Sequence, residues 1–391
     1  MVLRPVDDKL DILVMNIEAL SSKRGEDYAT KFAQCHHTMI IIDESTSIKS
    51  VKSRRTKAAL RLSKYAEYRR IATGTPITQG PLDLFSQCEF LKPGLLGHRT
   101  FSSFRGHYAV LKQMVIGHRQ FLQVVGYRNL EQLQSCLKQF TSRLTKEQCL
   151  TLPEKVYETL PVPLTPAQSS AYSDVRNKAV LQHEKGLLTC ESALVVIEKL
   201  HQICLGHLKL DDGTVIELEH NRIQILLRHL EIIGERKVVI WCRYQRDVEN
   251  VMRALGDAYK KSGKFAVDYY GKTSVEARTH NLDQFIKNPD CLFLVGSGAV
   301  GGKGLTLVVS SYVFYYSYGY KLEERAQSED RNHRIGQTQK VTYLDMYAPN
   351  TVEVEILTAL REKKDLAKAI LDKNYLSNLL NQEQEDSIPF D

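Results

Sequence analysis

Short apolar runs of strand length constrain the fold of this chain more than any other feature. In the second half they begin at Val238-Val239-Ile240-Trp241 and continue at 266–270, 291–295, 311–316 and 341–347. Helix-length polar stretches separate several of them. That rhythm predicts a parallel sheet flanked by helices, with functional groups at the C-terminal ends of the strands. The first half repeats it in brief. DILVMNI (11–17) reads as a short buried strand, and TMIII (38–42) as a second that ends in Asp43-Glu44. Residues 52–66 read as a helix, and Arg70-Ile71-Ala72 leads into the turn signal Thr73-Gly74-Thr75-Pro76. The expected fold class is therefore α/β, with two parallel-sheet lobes and helical insertions.

Between the lobes, residues 93–150 read as mixed and mainly helical. Four of the eleven prolines then fall between Pro153 and Pro166, which predicts an extended interdomain linker. Helices are expected over 167–206 and 221–233, and a charged amphipathic helix over 352–380 precedes an acidic tail. The expected division is 1–152, 153–220, 221–350 and 351–391. At 391 residues the chain is long enough for two cores.

Charge adds a second constraint. Lysine and arginine number 53 against 46 aspartate and glutamate, a net charge of +7. The excess is local: Lys49 to Arg70 holds nine basic residues and one acid, Glu67. Such a run next to a phosphate-handling motif predicts a surface that faces nucleic-acid backbone. The eight cysteines are scattered without a CxxC pair, which argues against a zinc knuckle and fits free buried thiols in a reducing compartment. No apolar run reaches membrane-spanning length, so a soluble, cytoplasmic protein with no membrane partner is expected.

Two motifs carry chemistry in their residues. In Ile40-Ile41-Ile42-Asp43-Glu44-Ser45, an acidic pair ends an apolar strand. One carboxylate there can hold Mg²⁺ and the other can orient water. In QSEDRNHRIGQ (327–337), Arg331 and Arg334 are three residues apart, so on a helix they share a face. Two permanently charged planar donors aimed at one spot suit a pyrophosphate.

Two further phosphate signatures fail on context. Gly296, Gly298 and Gly301 spell GxGxxG, yet LTLVV follows rather than a helix opening. Gly271-Lys272-Thr273 ends like a phosphate loop, but Ala266 stands where the first glycine is required.

QSEDRNHRIGQ as a whole resembles the last helicase motif of the Swi/Snf-type ATPases, double-stranded-DNA translocases of helicase superfamily two. DESTSIKS (43–50) and ATGTPITQGPLDLFSQCEFLKPGLLG (72–97) resemble the family's second and third motifs. KVVIWCRYQRDVENVMRAL, YYGKTSVEARTHNLDQF and FLVGSGAVGGKGLTLVVSSYVFYYS resemble later ones, all in the family's order.

The resemblance implies two RecA-like lobes, ATP and Mg²⁺ as cofactors, and double-stranded DNA as partner. It implies Asp43 as the Mg²⁺ ligand, Glu44 as the water-activating base, and Arg331 and Arg334 as catalytic contacts to ATP phosphates. Gly304 and Gln327 join the two arginines in nucleotide binding. Asn16, Ser21, Thr73, Gly74, Thr75, Gly301, Gly302 and Thr306 are implied in DNA contact or coupling. The departures are Asn16 for a usual Thr or Ser, Ser45-Thr46 after the acidic pair, and Lys303 for a neutral residue.

No GxxxxGK[ST] occurs in these 391 residues. The first lobe is thus expected to be N-terminally incomplete and inactive as an ATPase by itself. An upstream polypeptide carrying the phosphate loop is the expected partner. The compact form implies a bacterial or phage origin. The rival expectation is an ATP-independent DNA-binding or partner-docking module; a dinucleotide enzyme is a distant third. The tail EQEDSIPFD (383–391) resembles the acidic, Phe-tipped tails of single-stranded-DNA-binding proteins, which implies a replication or recombination partner.

Overall fold

The computed structural model describes residues 10–78, 80–116, 119–184, 190–210, 212–298 and 304–362. The chain divides into two compact units, Met1–Leu144 and Thr145–Asp391.

In the second unit six parallel strands form one sheet: β5 Lys155–Pro161, β8 Val238–Cys242, β9 Phe265–Tyr269, β10 Cys291–Ser297, β11 Tyr312–Tyr315 and β12 Val341–Tyr347. Their order across the sheet is β5-β12-β11-β8-β10-β9. β8 lies at the centre, and all five of its residues are buried. Its side chains alternate between two cores. Val239 and Trp241 face one and Val238, Ile240 and Cys242 the other. The period-2 geometry of a strand makes this partition automatic once both faces are covered.

The first core is closed by α7 Pro166–Glu184, α8 Cys190–Cys204, α11 Val275–Lys287 and α13 Val352–Arg361. The second is closed by α9 Arg222–Ile233 and α10 Gln245–Tyr259. α12 Leu322–Asn332 lies between β11 and β12 in the chain. Each fully buried Val, Leu, Ile or Phe in these cores contributes about 1.5–3 kcal/mol. Helix starts are fixed by hydroxyl caps: Ser274 accepts from Ala277 N (3.2 Å) and Thr351 from Glu353 N (3.2 Å).

The first unit holds a smaller parallel pair, β1 Met39–Asp43 and β2 Tyr68–Ala72, with Asp43 opposite Ala72. Helices α1 Lys23–Cys35, α2 Arg54–Leu62 and α3 Leu84–Leu91 cover one face through Ala29, Ala33, Ile48, Ala58, Leu62 and Phe90, around Ile42. On the other side Met39, Ile41 and Tyr68 are exposed. A satellite core around Phe85, Phe104 and Tyr108 joins α4 Phe101–Tyr108 and α5 Leu130–Lys138 to this unit.

Several sequence expectations change. DILVMNI is not a strand. Residues 10–16 carry no regular structure, with Leu10, Ile12 and Val14 exposed. A strand needs a neighbour to take its hydrogen bonds, and β1 and β2 pair only with each other among the described residues. Within 93–150 the mixed helical reading misses an antiparallel hairpin, β3 Ala109–Ile116 with β4 Arg119–Tyr127, separated by two residues. The proline-rich stretch is extended, but it is no free linker. Lys155–Pro161 pairs along its whole length with Val341–Tyr347. As the sheet's edge strand it tolerates Pro161, whose missing N–H would break an interior ladder. A short hairpin, β6 His207–Lys209 with β7 Val215–Glu217, is a further element that sequence pattern does not announce. One short helix, α6 Lys146–Cys149, opens the second unit. The helix expected over 352–380 is described only as far as Arg361, and the 383–391 tail lies outside the described residues.

The second unit buries ionisable groups where it changes direction. Asp247, near the start of α10, accepts from the Ser317 hydroxyl and lies 3.7 Å from His207. Burial pushes the Asp247 carboxyl up to about 7. Burial, with nearby His201 and Arg246, pushes His207 down to about 4. The raised carboxyl contributes stability that is full below its unfolded value and is lost as pH climbs toward 7. The depressed imidazole contributes stability that is full above its unfolded value and is lost as pH falls toward 4. Between about pH 4 and 6.5 the pair holds one proton folded and one unfolded, so the two slopes cancel. Asp247→Asn removes one slope and leaves the other. Relative to the parent, its unfolding free energy should rise with pH between about 4 and 7, by about 1.4 kcal/mol per unit. Urea titrations across that range check this; parallel pH profiles for the two proteins would contradict it.

Candidate functional site

The acidic pair sits where β1 ends. Asp43 is exposed, and its Oδ1 accepts from Glu44 N at 2.9 Å. Glu44 has φ 50° and ψ 57°, a left-handed conformation that costs a non-glycine residue on the order of 1 kcal/mol or more. The turn that follows repays that cost with buried bonds. Ser45 is fully buried and donates to Gln87 Oε1 at 2.7 Å. Ile48 O accepts from Ser86 Oγ (2.7 Å) and Thr56 Oγ1 (3.0 Å).

The strand beside it ends at Ala72, and Thr73 Oγ1 then accepts from Thr75 N at 3.2 Å, with Gly74 exposed between them. Gln87 Nε2 donates to Pro76 O and to Asp83 O, both at 2.8 Å. One buried amide on α3 therefore grips the acidic turn through Ser45 and the Thr73–Pro76 loop through its carbonyl. Lys49 donates to Thr78 Oγ1, and Thr78 in turn donates from N and Oγ1 to Asp83 Oδ2 (2.9 Å each). Sequence reasoning missed Gln87. It stands inside LDLFSQCEFL, and its signal was a polar residue within an apolar helical run.

Asn16 caps the short 3-10 helix Ile17–Ser21 by accepting from Glu18 N at 3.0 Å; Ser21 is exposed at its end. The basic run is divided by the fold. Arg55 pairs with Glu18 (3.4 Å), and Arg61 with Glu26 through two bonds of 2.6 and 2.8 Å. Lys52, Arg54, Lys57 and Lys64 are exposed.

In the second unit the arginines converge, though not as two residues of one helix face. α12 stops at Asn332, and Arg334 lies in the following loop, where Gly336 takes φ 99°. Arg334 Nη1 donates to Leu305 O (3.0 Å) and Thr306 Oγ1 (3.1 Å). Arg331 Nη1 reaches the same Leu305 O at 3.5 Å, and its Nε donates to Gln327 O at 3.1 Å. Both guanidiniums thus border Gly304-Leu305-Thr306, where Gly304 takes φ 80°. Gly301 and Gly302 lie outside the described residues.

Amides again hold the loop. Asn332 Nδ2 donates to Leu307 O (3.0 Å) and Ser310 O (3.1 Å). Gln337 Nε2 donates to Val308 O (3.1 Å), Ser310 O (3.3 Å) and Asn332 O (3.2 Å). His333 Nε2 is 2.7 Å from Pro153 O. The polar residues between and beyond the arginines therefore position them, a role their sequence spacing did not announce. Glu329 is part of the same support. Burial alone would raise its pKa, but Arg325 and Lys155 hold the carboxyl below its usual range.

The two decoys resolve physically. Gly296 ends β10 against Trp241, where a Cβ would lie 2.9 Å from Cζ3, so a packing contact requires the glycine. Lys272 and Thr273 are bonded to Glu249 and Asp268.

Among the described residues no group of three or more His, Cys, Asp or Glu side chains gathers as a metal cage. No helix among them is long and apolar enough to cross a membrane.

Comparison with known proteins finds two family models, the first of which runs past the boundary between the two units. Residues 4–208 match the model of the SNF2-related domain, and residues 221–336 that of the helicase conserved C-terminal domain. An uncharacterized ATP-dependent helicase of Mycoplasma pneumoniae is 27% identical over 355 residues, 88% of this chain and 32% of that protein. The DNA annealing helicase and endonuclease ZRANB3 of Mus musculus is 26% identical over 345 residues, 85% of this chain and 30% of that protein. A putative ATP-dependent helicase/translocase, YwqA, of Bacillus subtilis is 24% identical over 397 residues, 98% of this chain and 41% of that protein. The chain thus spans about a third of the length of the first of these relatives. A solved structure, the Sulfolobus solfataricus SWI2/SNF2 ATPase core in complex with dsDNA, aligns with 94% of this chain and 76% of that chain, at 23% identity and a TM-score of 0.45.

The Gln87 bridge makes a specific prediction. Gln87→Leu roughly keeps volume but strands the buried Ser45 hydroxyl, at roughly 1–3 kcal/mol for a group left buried and unpaired, and removes the bond to Pro76 O. Amide hydrogen exchange should then accelerate together in residues 43–48 and 73–78. Acceleration in only one of the two loops would show that they are held independently.

Proposed function

This chain belongs to the SNF2-related family, and from that premise we propose that it forms the motor core of an ATP-dependent translocase on double-stranded DNA. The observation that carries the proposal is the convergence of Arg331 and Arg334 on Leu305–Thr306. Two permanent cations beside a flexible-φ glycine loop form a donor set for the charge that develops on a transferred phosphoryl group. Gly304 and Gln327 flank that set and complete the nucleotide contact. Asp43 and Glu44 supply the acidic half: Asp43 an exposed carboxylate for Mg²⁺, Glu44 the base that orients water.

The donor set fits that ion. Mg²⁺ takes one or two carboxylates and fills its remaining positions with water and substrate phosphates, so a single strand-end aspartate suffices. When bound, the ion neutralises phosphate charge. Thr73, Gly74 and Thr75 couple the acidic turn to the DNA strand, as the shared grip of Gln87 supports. Asn16, Ser21, Gly301, Gly302 and Thr306 complete the DNA-facing set.

The 391 residues contain no GxxxxGK[ST] loop, and the chain by itself is proposed to hydrolyse ATP poorly. A polypeptide segment that carries this loop would complete the first unit. Met39, Ile41 and Tyr68, exposed on one side of β1 and β2 among the described residues, support such a partner, because parallel sheets are ordinarily covered on both faces. The same absence favours a second reading, an ATP-independent DNA-binding or docking module. The tail at 383–391 is proposed to dock a replication or recombination protein; a pull-down unaffected by its deletion would remove that partner.

Phosphate release measures the difference. The chain alone should show little duplex-stimulated turnover, and addition of a segment bearing GxxxxGK[ST] should restore it. In the restored protein, Arg334→Ala or Arg331→Ala should lower turnover by about three to five orders of magnitude with DNA binding nearly intact. Glu44→Gln should stop turnover and keep nucleotide binding. Duplex binding without stimulated turnover, in the presence of the segment, would favour the second reading.

A separate test addresses the DNA face. Log affinity should fall linearly with log salt, and replacing Lys52, Arg54 and Lys57 by Gln should flatten that slope by about 0.9 for each phosphate that is no longer neutralised. An unchanged slope would place the DNA elsewhere.

A further inference from the structure

The chain passes from the first unit to the second between Leu144 and Thr145. Just past that boundary it forms α6, a single turn closed by its own ends. Thr145 N donates to Gln148 Oε1 at 3.0 Å, and Leu150 N to Lys146 O at 2.8 Å. Four residues are far too few for a helix to be stable by itself. What anchors α6 lies far along the chain, at the turn that carries Arg331 and Arg334.

α12 ends inside that turn, at Asn332. The last carbonyls of a helix have no partner within it and must find one elsewhere. Here different donors take them. Glu329 O accepts from the Tyr343 hydroxyl (2.9 Å), Arg331 O from Leu307 N (2.9 Å) and Asn332 O from Gln337 Nε2 (3.2 Å). His333 O, between the two arginines, accepts from Lys146 Nζ at 3.3 Å. The first three donors sit on the strand and loops that build the site. Lys146 comes from the connecting segment, 187 positions away. Its positive charge at a helix C-terminus is also favoured by the helix dipole.

The same segment holds the turn on either side of that carbonyl. Lys146 pairs with Asp330, the neighbour of Arg331. Lys155 pairs with Glu329 at 2.9 Å and lies 3.9 Å from Asp330. Pro153 O lies 2.7 Å from His333 Nε2, and Glu154 accepts from Lys340 Nζ at 2.9 Å. Pairing of β5 with β12 begins at Lys155. Lys146 precedes it, so sheet pairing does not put Lys146 at the turn. Without Lys146, the Asp330 carboxylate retains Lys155 at 3.9 Å. A weakly paired carboxylate beside Arg331 competes with phosphate for the guanidiniums.

We propose that Lys146 is a positioning residue for the Arg331–Arg334 pair, the donor through which the segment joining the two units fixes the turn between the arginines. The inference rests on the phosphate-contact role proposed above for that pair. Lys146 acts through His333 O and Asp330, not on the phosphates.

The Lys146 and Asp330 side chains are 39% and 41% exposed, and ion pairs so exposed add little to stability. Lys146→Ala should therefore unfold at nearly the same urea concentration as the parent. Hydrogen exchange on the full chain reads the turn without any turnover. The amides of Leu307, His333 and Gln337 donate to carbonyls of the turn. In Lys146→Ala they should exchange about 2- to 10-fold faster, the loss of one hydrogen bond, with β8 and β10 unchanged. Lys146→Arg should restore the parent rates. In the protein completed by a segment bearing GxxxxGK[ST], Lys146→Ala should lower kcat about 10- to 100-fold with KM nearly unchanged. Lys146→Arg should recover most of that loss, and Lys146→Ala/Asp330→Asn part of it. Unaltered exchange at 307, 333 and 337 would overturn the proposal. So would equal acceleration in β8 and β10, an arginine variant as impaired as the alanine one, or an unchanged kcat in a completed protein that turns over. Faster exchange confined to the turn, in a completed parent without stimulated turnover, would uphold the role of Lys146 at the turn and overturn the translocase reading instead.

Discussion

A fully buried arginine organises the C-terminal end of the second unit's sheet, where β11 and β12 stop. Arg222, at the start of α9, donates to Tyr316 O (2.5 Å) and Met346 O (3.4 Å), just past β11 and near the end of β12, and pairs with Glu353. Glu353 also accepts from Ala348 N (2.6 Å) and lies 3.2 Å from His201. Neither charge has any exposed surface. Breaking a buried pair by removing one partner costs about 3–5 kcal/mol, because the other is left desolvated and alone. The pair fixes where β11 and β12 stop, and hence where Ser317–Tyr320 and the Thr351 cap begin. Burial would raise the Glu353 pKa, yet Arg222 and His201 hold it below its usual range, so the pair stays charged across the physiological range.

Closer to the candidate site, neutral amides replace charges. Gln87 in the first unit, and Asn332 and Gln337 in the second, hold loop carbonyls from buried positions. A carboxamide offers both donors and an acceptor without the desolvation cost of an ion. Gln337 uses both ends: its nitrogen takes three carbonyls, and its oxygen accepts from Thr338 N and Gln339 N (3.0 and 2.9 Å). Such a side chain locks a loop in one geometry beside the charged residues Arg331, Arg334, Asp43 and Glu44. The strained φ of Glu44 is tolerable because the turn around it is fixed in this way.

How far the sequence could be read follows from which interactions are local. β8, β10, β11 and β12 were legible because they are largely buried on both faces, so an apolar run has one reading, and β9 was legible from its apolar run although it is an edge strand and only partly buried. β5 was not, because an edge strand carries prolines and polar residues that also spell a linker, and its partner β12 lies far along the chain. DILVMNI failed for the opposite reason. Its composition is that of a strand, but pairing depends on a neighbour, and none is present among the described residues. The convergence of the arginine pair was legible, but its geometry was not. Spacing placed Arg334 on the helix, whereas Asn332 and Gln337 turn the chain there to serve the loop at 307–310. The polar Gln87 stood out in an apolar helical run, but its role could not be read from sequence because its partners lie up to 42 positions away.

Charge shows the same distance between counting and presenting. The nine basic residues of Lys49–Arg70 read as one cationic face. The fold assigns Arg55 and Arg61 to Glu18 and Glu26, acids that lie outside the run and do not enter a local count. Arg61 gains most: its two-point bond holds Glu26 below the usual carboxylate range. These surface pairs add little to stability, but they remove two cations from any phosphate-facing set. Lys49 is committed to Thr78. Six of the nine remain: Lys52, Arg54, Lys57 and Lys64, which α2 and its flanks turn outward, and Arg69 and Arg70 on β2. Sequence-independent affinity grows with each phosphate neutralised, so the pairing by Glu18 and Glu26 lowers what the proposed DNA face could contribute. It leaves α2 anchored to α1 through Arg61 on one side, with Lys57 and its neighbours exposed on the other.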